Sequence, residues 1–140
     1  TLKSILFICN INSIRSPMAE AILKLWFDKK IFIDSCGIRK GEIDHMAIEV
    51  MKEKGFDLSN HKTKIFSNLE DNYFDLIIAF TEEAYDEAVK LTKTEACEIE
   101  LLNIPDASQT TGNRQQRLDS YRSVRDLLIE KLQNRFKEML

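Results

Sequence analysis

Residues 5–17 read Ile-Leu-Phe-Ile-Cys-Asn-Ile-Asn-Ser-Ile-Arg-Ser-Pro, and this stretch decides the fold of the chain. The apolar run at its start predicts a buried strand, and the Ser-Pro pair at its end predicts the start of a helix. Cys9 and Arg15 are therefore expected on the loop between a strand and a helix N-terminus, where backbone N–H groups can bind an oxyanion. The guanidinium group of Arg15 can hold two oxygens of that anion. The same positive field favours the thiolate of Cys9, which makes it a candidate nucleophile.

Size and composition predict a single catalytic domain over residues 1–140, with 44% hydrophobic residues to build its core. The net charge of −3 gives no sign of a nucleic-acid partner. The three cysteines, Cys9, Cys36 and Cys97, form no close pair and no metal-binding pattern with the two histidines, so we expect no disulfide framework, metal or cofactor. No stretch has the length of a membrane span or a signal-peptide core, and we expect a cytoplasmic protein with no membrane partner.

Strand and helix patterns alternate along the chain and predict an α/β fold with a four-stranded parallel sheet flanked by helices. Asp44 and Thr81 are predicted as helix N-caps. The predicted strands cover residues 4–9, 31–33, 73–80 and 97–102, and the predicted helices cover residues 17–29, 44–55, 81–91 and 114–139. The expected buried face of the first helix comprises Met18, Ala21, Ile22, Leu25 and Trp26.

Asp106 lies in the loop after the fourth predicted strand, at the same carboxyl edge of the sheet as Cys9. Attack by a Cys9 thiolate on a phosphate monoester expels an alkoxide or phenoxide that needs a proton. A carboxylic acid over the anion pocket can supply it and then act as base on the water that hydrolyses the phosphocysteine. Asp106 is therefore the candidate general acid, although Pro-Asp in a loop is by itself ordinary turn sequence.

Five further residues are singled out. Asn12 suits a left-handed backbone conformation, and Ser16 can either donate to the cysteine sulfur or cap the helix. Cys36 follows the second predicted strand, and two interpretations stay open for it, a redox partner near the pocket or a packed small side chain. Cys97 is predicted to lie in the core and His61 to make a structural hydrogen bond.

These motifs together resemble the low-molecular-weight protein tyrosine phosphatases and the related thioredoxin-coupled arsenate reductases. The family pattern C-x-G-N-x-C-R-S-P-M-A-E is similar to residues 9–20, and its Ser-Ala-Gly is similar to residues 35–37. The family segment Gly-Ile-Asp-x-Ser-x-His resembles residues 55–61, and the family's acid motif resembles residues 105–107. The resemblance covers essentially the whole chain and implies the flavodoxin-like fold of that family.

The resemblance implies a cysteine-dependent phosphatase that acts on a phosphorylated protein or a small phosphate ester through a phosphocysteine. It gives Cys9 the role of nucleophile, Arg15 that of phosphate clamp and Asp106 that of general acid. The loop expected to bind phosphate or another oxyanion consists of Asn10, Ile11, Asn12, Ser13, Ile14, Arg15 and Ser16.

Several departures from the family pattern bear on this interpretation. Ile11 replaces the family glycine, where a close backbone approach is expected. Ile14 replaces a second loop cysteine, which in the family forms a protective disulfide with the nucleophile. Residues 37–44 form a short segment without the aromatic residue that walls the substrate ring in the phosphatases. This short segment and residues 123–126 look more like the arsenate reductases, yet residues 79–87 lack the cysteines of their thiol relay.

Two alternatives to the phosphatase therefore stay open. The first is an arsenate reductase that uses another thiol, from Cys36, Cys97 or an external molecule. The second is a non-catalytic binder of oxyanions or phosphoproteins. Such a binder needs an arginine but neither a nucleophile nor an acid, so the presence of all three groups argues against it.

Overall fold

Parallel strands and helices alternate along the chain in the computed structural model, which describes residues 1–93 and 96–140. The strands are β1 (Ser4–Cys9), β2 (Phe32–Gly37), β3 (Leu76–Ala79) and β4 (Glu98–Leu101), and the α-helices are α1 (Arg15–Phe27), α2 (His45–Lys52), α3 (Glu82–Thr92) and α4 (Arg114–Phe136). Short 3₁₀ helices cover Phe66–Asn68, Ala107–Gln109 and Lys137–Met139. The predicted α/β class with a four-stranded parallel sheet is confirmed.

The order of the strands in the sheet is β2-β1-β3-β4. The chain leaves β1 toward one side to form β2 and then crosses to the other side to form β3. The switch in direction therefore falls at the carboxyl end of β1, where Cys9 lies beside Gly37 of β2. A crevice at such a point is where open α/β sheets bind their ligands.

Helices cover both faces of the sheet, which explains why β1 is an uninterrupted apolar run. Ile5 and Phe7 point to the face covered by α1, α2 and α4, whereas Leu6 and Ile8 point to the face covered by α3. Successive strand side chains alternate between the faces. Cys9 continues this alternation and lies on the face of α1.

The two predicted N-caps are confirmed, and both positions begin helices near the site. The Asp44 carboxylate accepts hydrogen bonds from the amides of Met46 and Ala47 at the start of α2. The Thr81 hydroxyl accepts from the amide of Ala84 at the start of α3. These bonds satisfy amides that have no partner inside their helix.

The structure corrects four details of the sequence-based prediction. Helix α1 begins at Arg15 rather than at residue 17. Leu25 is 62% exposed because α1 buries a face that includes Ala19 and Leu23 instead. Strand β2 extends through polar residues to Gly37, four residues beyond the predicted end. Cys97 precedes β4 and is only partly buried.

The lengths and polarity of the helices bear on membrane association. Across residues 1–93 and 96–140, no helix combines the length and the apolar character that a membrane crossing requires.

Candidate active site

The loop after β1 turns sharply at Asn12, whose φ is 58°. This is the left-handed conformation predicted for it, which asparagine tolerates better than most residues. Within the described part of the chain, the amides of Ile11, Asn12, Ser13 and Ile14 donate no hydrogen bond to another protein group. The loop runs directly into the N-terminus of α1, and such donors beside a helix N-terminus suit a bound anion.

Gly37 is the residue that makes room for this loop. A Cβ atom on Gly37 would lie 2.7 Å from the Asn12 nitrogen and 2.8 Å from the Ile11 Cα. The close backbone approach expected at position 11 is therefore present, and the missing side chain belongs to β2 rather than to the loop. Among the described residues, Asn12 and Asp28 are the non-glycine residues with a positive φ. The φ of Ile11 is therefore negative, and Ile11 replaces the family glycine without backbone strain.

A chain of hydrogen bonds runs from the Asn12 amide to the sulfur of Cys9. The Asn12 Nδ2 atom donates to Ser16 Oγ at 2.8 Å, and Ser16 Oγ lies 2.8 Å from Cys9 Sγ and 3.4 Å from the Cys36 carbonyl. A thiolate has no proton to give, so the ionised form of Cys9 accepts a hydrogen bond from the Ser16 hydroxyl. Helix α1 has no side-chain cap, so Ser16 contacts the sulfur and does not cap the helix.

The Asn12 side chain also anchors the loop to Ser35 of β2 and to the segment that contains His61 and Lys64. Asn12 Oδ1 accepts from His61 Nε2 at 2.9 Å and from the Lys64 amide at 3.1 Å. Asn12 Nδ2 also donates to Ser35 Oγ at 3.0 Å, and Ser35 Oγ donates to the buried carboxylate of Glu20 at 2.5 Å. All four hydrogen-bonding positions of the Asn12 amide are therefore used.

Burial lowers the pKa of His61, although the Glu20 carboxylate, 3.8 Å from His61 Nδ1, acts in the opposite direction. Since Asn12 Oδ1 can only accept, the proton of the neutral imidazole lies on Nε2. His61 thus makes the structural hydrogen bond that the sequence predicts for it.

Arg15 connects the loop to the segment after β4. Its side chain is buried, Nη1 donates to the carbonyl of Ile104 at 2.9 Å, and Nη2 lies 4.0 Å from Asp106 Oδ2. The first bond fixes the guanidinium plane, and the second contact brings the Asp106 carboxylate to the edge of the anion loop. The two residues are separated by 91 positions in the sequence, and the sheet topology brings them together.

Asp106 forms a tight turn with Ser108. Its Oδ1 atom accepts from the Ser108 hydroxyl at 2.7 Å and from the Ser108 amide at 2.9 Å. Partial burial raises the pKa of Asp106, but the two Ser108 bonds and the positive charge of Arg15 outweigh burial and hold this pKa below its ordinary value. Asp106 is therefore ionised at neutral pH when the site holds no substrate.

A small cavity brings together the three residues predicted to carry the chemistry. Its walls are formed by Cys9, Ile11, Ser13, Ile14, Arg15, Asp106 and Ser108. Of the other predicted loop residues, Asn10, Asn12 and Ser16 lie outside these walls. Asn10 accepts from the Thr81 hydroxyl, while Asn12 and Ser16 are fully buried beneath the loop. No group of three or more potential metal ligands occurs among the described residues.

The other two cysteines do not line this cavity, although Cys36 lies in β2 beside the end of β1, where it pairs with Ile8. Cys36 is fully buried on the α3 face of the sheet, whereas Cys9 lies on the α1 face, and burial raises the pKa of the Cys36 thiol far above its ordinary value. Cys97 lies at the amino end of β4, at the opposite edge of the sheet from Cys9. Of the two interpretations of Cys36, the geometry agrees with a packed side chain.

Sequence reasoning missed the buried support of the loop. Glu20, Ser35 and Lys64 hold Asn12 directly or through one another, yet none was a candidate. A signal was present for Glu20, which shares a helix face with the buried Leu23 and Phe27, whereas Ser35 lies beyond the predicted strand and gave none. A polar residue in such a position needs a partner.

The chain belongs to the low molecular weight phosphotyrosine protein phosphatase family, whose model matches residues 4–139. The glutaredoxin arsenate reductase of Synechocystis sp. (strain ATCC 27184 / PCC 6803 / Kazusa) is 29% identical over 133 residues, which is 95% of each chain. The family is named for phosphotyrosine phosphatases, whereas this relative is named an arsenate reductase.

The solved structures with a similar fold likewise include both tyrosine phosphatases and arsenate reductases. The tyrosine phosphatase Wzb from Escherichia coli K30, in complex with sulphate, has a TM-score of 0.80 and 24% identity, covering 99% of this chain and 98% of that chain. An arsenate reductase in the phosphate binding state has a TM-score of 0.78 and 27% identity, covering 99% of this chain and 100% of that chain. The first structure contains sulphate, and the second is in its phosphate binding state. Sulphate and phosphate are both tetrahedral oxyanions.

Proposed function

We propose that this protein is a cysteine-dependent phosphatase that hydrolyses phosphate monoesters through a phosphocysteine intermediate. The observation that carries the proposal is the common cavity of Cys9, Arg15 and Asp106, with the Ser16 hydroxyl 2.8 Å from the Cys9 sulfur. Phosphoryl transfer to a thiolate requires a nucleophile, an anion clamp and an acid, and these groups supply all three. No additional thiol is needed.

In the first step, a sulfur–phosphorus bond forms at Cys9 while the ester phosphorus–oxygen bond breaks. The loop amides and the Arg15 guanidinium stabilise the charge on the equatorial phosphate oxygens. Asp106 donates its proton to the departing oxygen, which leaves as an alcohol or phenol. The negative phosphate raises the pKa of the nearby Asp106 carboxyl, which opposes the effect of Ser108 and Arg15 on the free protein.

In the second step, water attacks phosphorus and the sulfur–phosphorus bond breaks, which returns the electron pair to Cys9. Asp106 accepts the proton of the attacking water and is ready for another cycle. The hydrogen bond from Ser16 stabilises the thiolate that leaves. Inorganic phosphate is the second product. A phosphorylated protein and a small phosphate ester are both substrates that this chemistry admits.

A second candidate function is arsenate reduction, and the 29% identity to a glutaredoxin arsenate reductase favours it. In that reaction Cys9 displaces an oxygen of arsenate, and an outside thiol then attacks the Cys9 sulfur, so that arsenic leaves as arsenite with two more electrons. A second thiol reduces the resulting mixed disulfide. Cys36 is buried on the other face and Cys97 lies at the other edge of the sheet, so both thiols would come from outside, such as from glutathione and glutaredoxin.

Two assays on the same preparation distinguish these functions. The first follows release of phosphate from an aryl phosphate, and the second follows arsenite formation with glutathione and glutaredoxin as reductant. The proposal expects turnover of the aryl phosphate without any added thiol beyond that needed to keep Cys9 reduced. Arsenite formation with no phosphate release would overturn the phosphatase proposal, and the absence of both with tight phosphate binding would indicate a binder.

A further inference from the structure

The side chain of Ile11 is 41% exposed and lines the cavity that also contains Cys9. The polar walls of this cavity come from Ser13, Arg15, Asp106 and Ser108. Ile14, the other isoleucine of the cavity, is only 6% exposed and lies deeper. Ile11 is therefore the main apolar surface that the rim of the cavity offers to a bound molecule.

The neighbouring segment leaves Ile11 uncovered and holds it in place. A Cβ atom on Gly41 would lie 3.1 Å from the Ile11 Cβ, so a larger residue at position 41 would press against Ile11. The Thr63 hydroxyl donates to the carbonyl of Gly41 and fixes this segment beside the loop. Because isoleucine is branched at Cβ, few rotamers are available to Ile11 in this position.

The geometry of phosphoryl transfer directs one part of the substrate toward this surface. A nucleophile attacks phosphorus roughly in line with the leaving group, so the ester group points away from Cys9 and toward the mouth of the cavity. Asp106 lies on one side of that mouth to protonate the ester oxygen, and Ile11 contributes to its wall. The ester group would thus pass beside an aliphatic side chain rather than an aromatic ring.

We propose, resting on the phosphatase function above, that Ile11 determines the specificity for the ester group. Ile11 favours substrates whose ester group is apolar next to the phosphate, and it selects by apolar area rather than by aromatic character. An aliphatic side chain lacks the ring faces that make stacked aromatic pairs favourable, so a saturated ring and an aromatic ring of similar size are bound alike. Small polar alkyl phosphates are the disfavoured class.

Binding of non-hydrolysable phosphonates tests this inference without any need for turnover. Isothermal titration calorimetry compares phenylphosphonate, cyclohexylphosphonate, methylphosphonate and inorganic phosphate on the native chain, on Ile11→Thr and on Ile11→Leu. The native chain is expected to bind both ring compounds with similar affinity and more tightly than methylphosphonate. Ile11→Thr should lose about tenfold of that preference, whereas Ile11→Leu, which keeps the apolar volume, should retain it.

Inorganic phosphate serves as the internal reference, and the affinity of each phosphonate is compared with it on the same protein, because the loop amides, that of Ile11 included, and Arg15 bind the phosphate group. Two results would overturn the inference: no preference for the ring compounds in the native chain, or an unaltered preference in Ile11→Thr. Clear discrimination against cyclohexylphosphonate by the native chain would also overturn the selection by apolar area. Failure of the phosphatase function would instead appear as no hydrolysis of phenyl phosphate while these binding differences persist.

Discussion

The two sides of the candidate site are held in different ways. On the loop side, Asn12 is fully buried and makes four hydrogen bonds, to Ser16, Ser35, His61 and the Lys64 amide. On the acid side, the Asp106 side chain is 32% exposed and is joined to the loop by a 4.0 Å contact with Arg15. The comparison teaches that the loop is fixed by buried polar contacts, while the Asp106 carboxylate, the proposed acid, is oriented by its own turn at the surface.

Cys9→Ser should produce the largest effect, because a serine hydroxyl is not ionised by the loop and cannot replace the thiolate. Aryl phosphate turnover should fall to background, while phosphate binding measured by calorimetry should largely survive on the intact loop. Cys97→Ser is the matched control and should keep full turnover. Substantial turnover in Cys9→Ser would show that another group attacks phosphorus.

Asp106→Asn should slow the cleavage of poor leaving groups by about 10²–10⁴-fold, the usual contribution of general acid catalysis. The loss should be smaller with nitrophenyl phosphate, whose leaving group departs readily without a proton, so that the rate depends more steeply on leaving-group pKa in the variant. Asp57→Asn is the matched control, since Asp57 forms the same turn with Ser59 outside the cavity. An equal loss for all leaving groups would mean that Asp106 only holds its segment.

Arg15→Lys should lower kcat/KM by about 10²–10³-fold although the charge is kept, because an ammonium group cannot span two phosphate oxygens in one plane. Arg39→Lys offers a control at an exposed arginine of the same sheet edge, which pairs with Glu83. Kinetics of Arg39→Lys should stay near those of the native chain. Near-normal kinetics of Arg15→Lys would restrict Arg15 to a structural role.

Asn12→Ala should lower the free energy of unfolding by about 2–4 kcal/mol, because it leaves several buried donors and acceptors without partners. Urea denaturation measures this change. Asn10→Ala is the comparison within the same loop, because the Asn10 side chain accepts a single bond, from Thr81. We expect about 1 kcal/mol for that variant. Equal losses in both variants would contradict the conclusion that the buried contacts of Asn12 carry the stability of the loop.

Ser108→Ala should have the smallest effect of these substitutions. We expect that effect as a shift in the pH dependence of the rate. The Ser108 hydroxyl stabilises the ionised form of Asp106, so its removal raises the pKa of that carboxyl. The acid is active when protonated, and its activity is lost as the pH rises through this pKa. The alkaline limb of alkyl phosphate hydrolysis should therefore move to higher pH in Ser108→Ala. Ser59→Ala should leave the profile unchanged, and an unshifted limb in both would exclude this control of Asp106.

The fold could be predicted largely from local pattern. The apolar runs at β1 and β3 and the caps at Asp44 and Thr81 reflect short-range requirements that the sequence displays directly. The end of β2 was missed because Asp34 and Ser35 are polar. Their side chains serve contacts made across the fold, with Lys64 and Glu20, rather than the local strand pattern.

The site could be predicted only where its residues adjoin in sequence or share a sheet edge. Cys9 and Arg15 flank one loop, at the end of β1 and the start of α1, and Asp106 follows from the common carboxyl edge of parallel strands. The bond from His61 to Asn12 joins residues 49 positions apart, and no periodicity encodes such a distance. The position of the Ile11 side chain likewise depends on Gly37 and Gly41, whose nearness is a product of the tertiary fold.

The separation of the three cysteines has a consequence for the kinetics of recovery from oxidation. A resolving thiol in the same chain works at an effective concentration in the millimolar range or above, independent of the surroundings. Cys9 has Ile14 in place of a loop cysteine, Cys36 in the adjacent strand points to the other face of the sheet, and Cys97 lies at the amino end of β4, so we expect repair of the Cys9 sulfenic acid to be bimolecular. The rate of recovery should rise linearly with external thiol, and the half-life of the oxidised protein becomes a measure of the redox state of its surroundings.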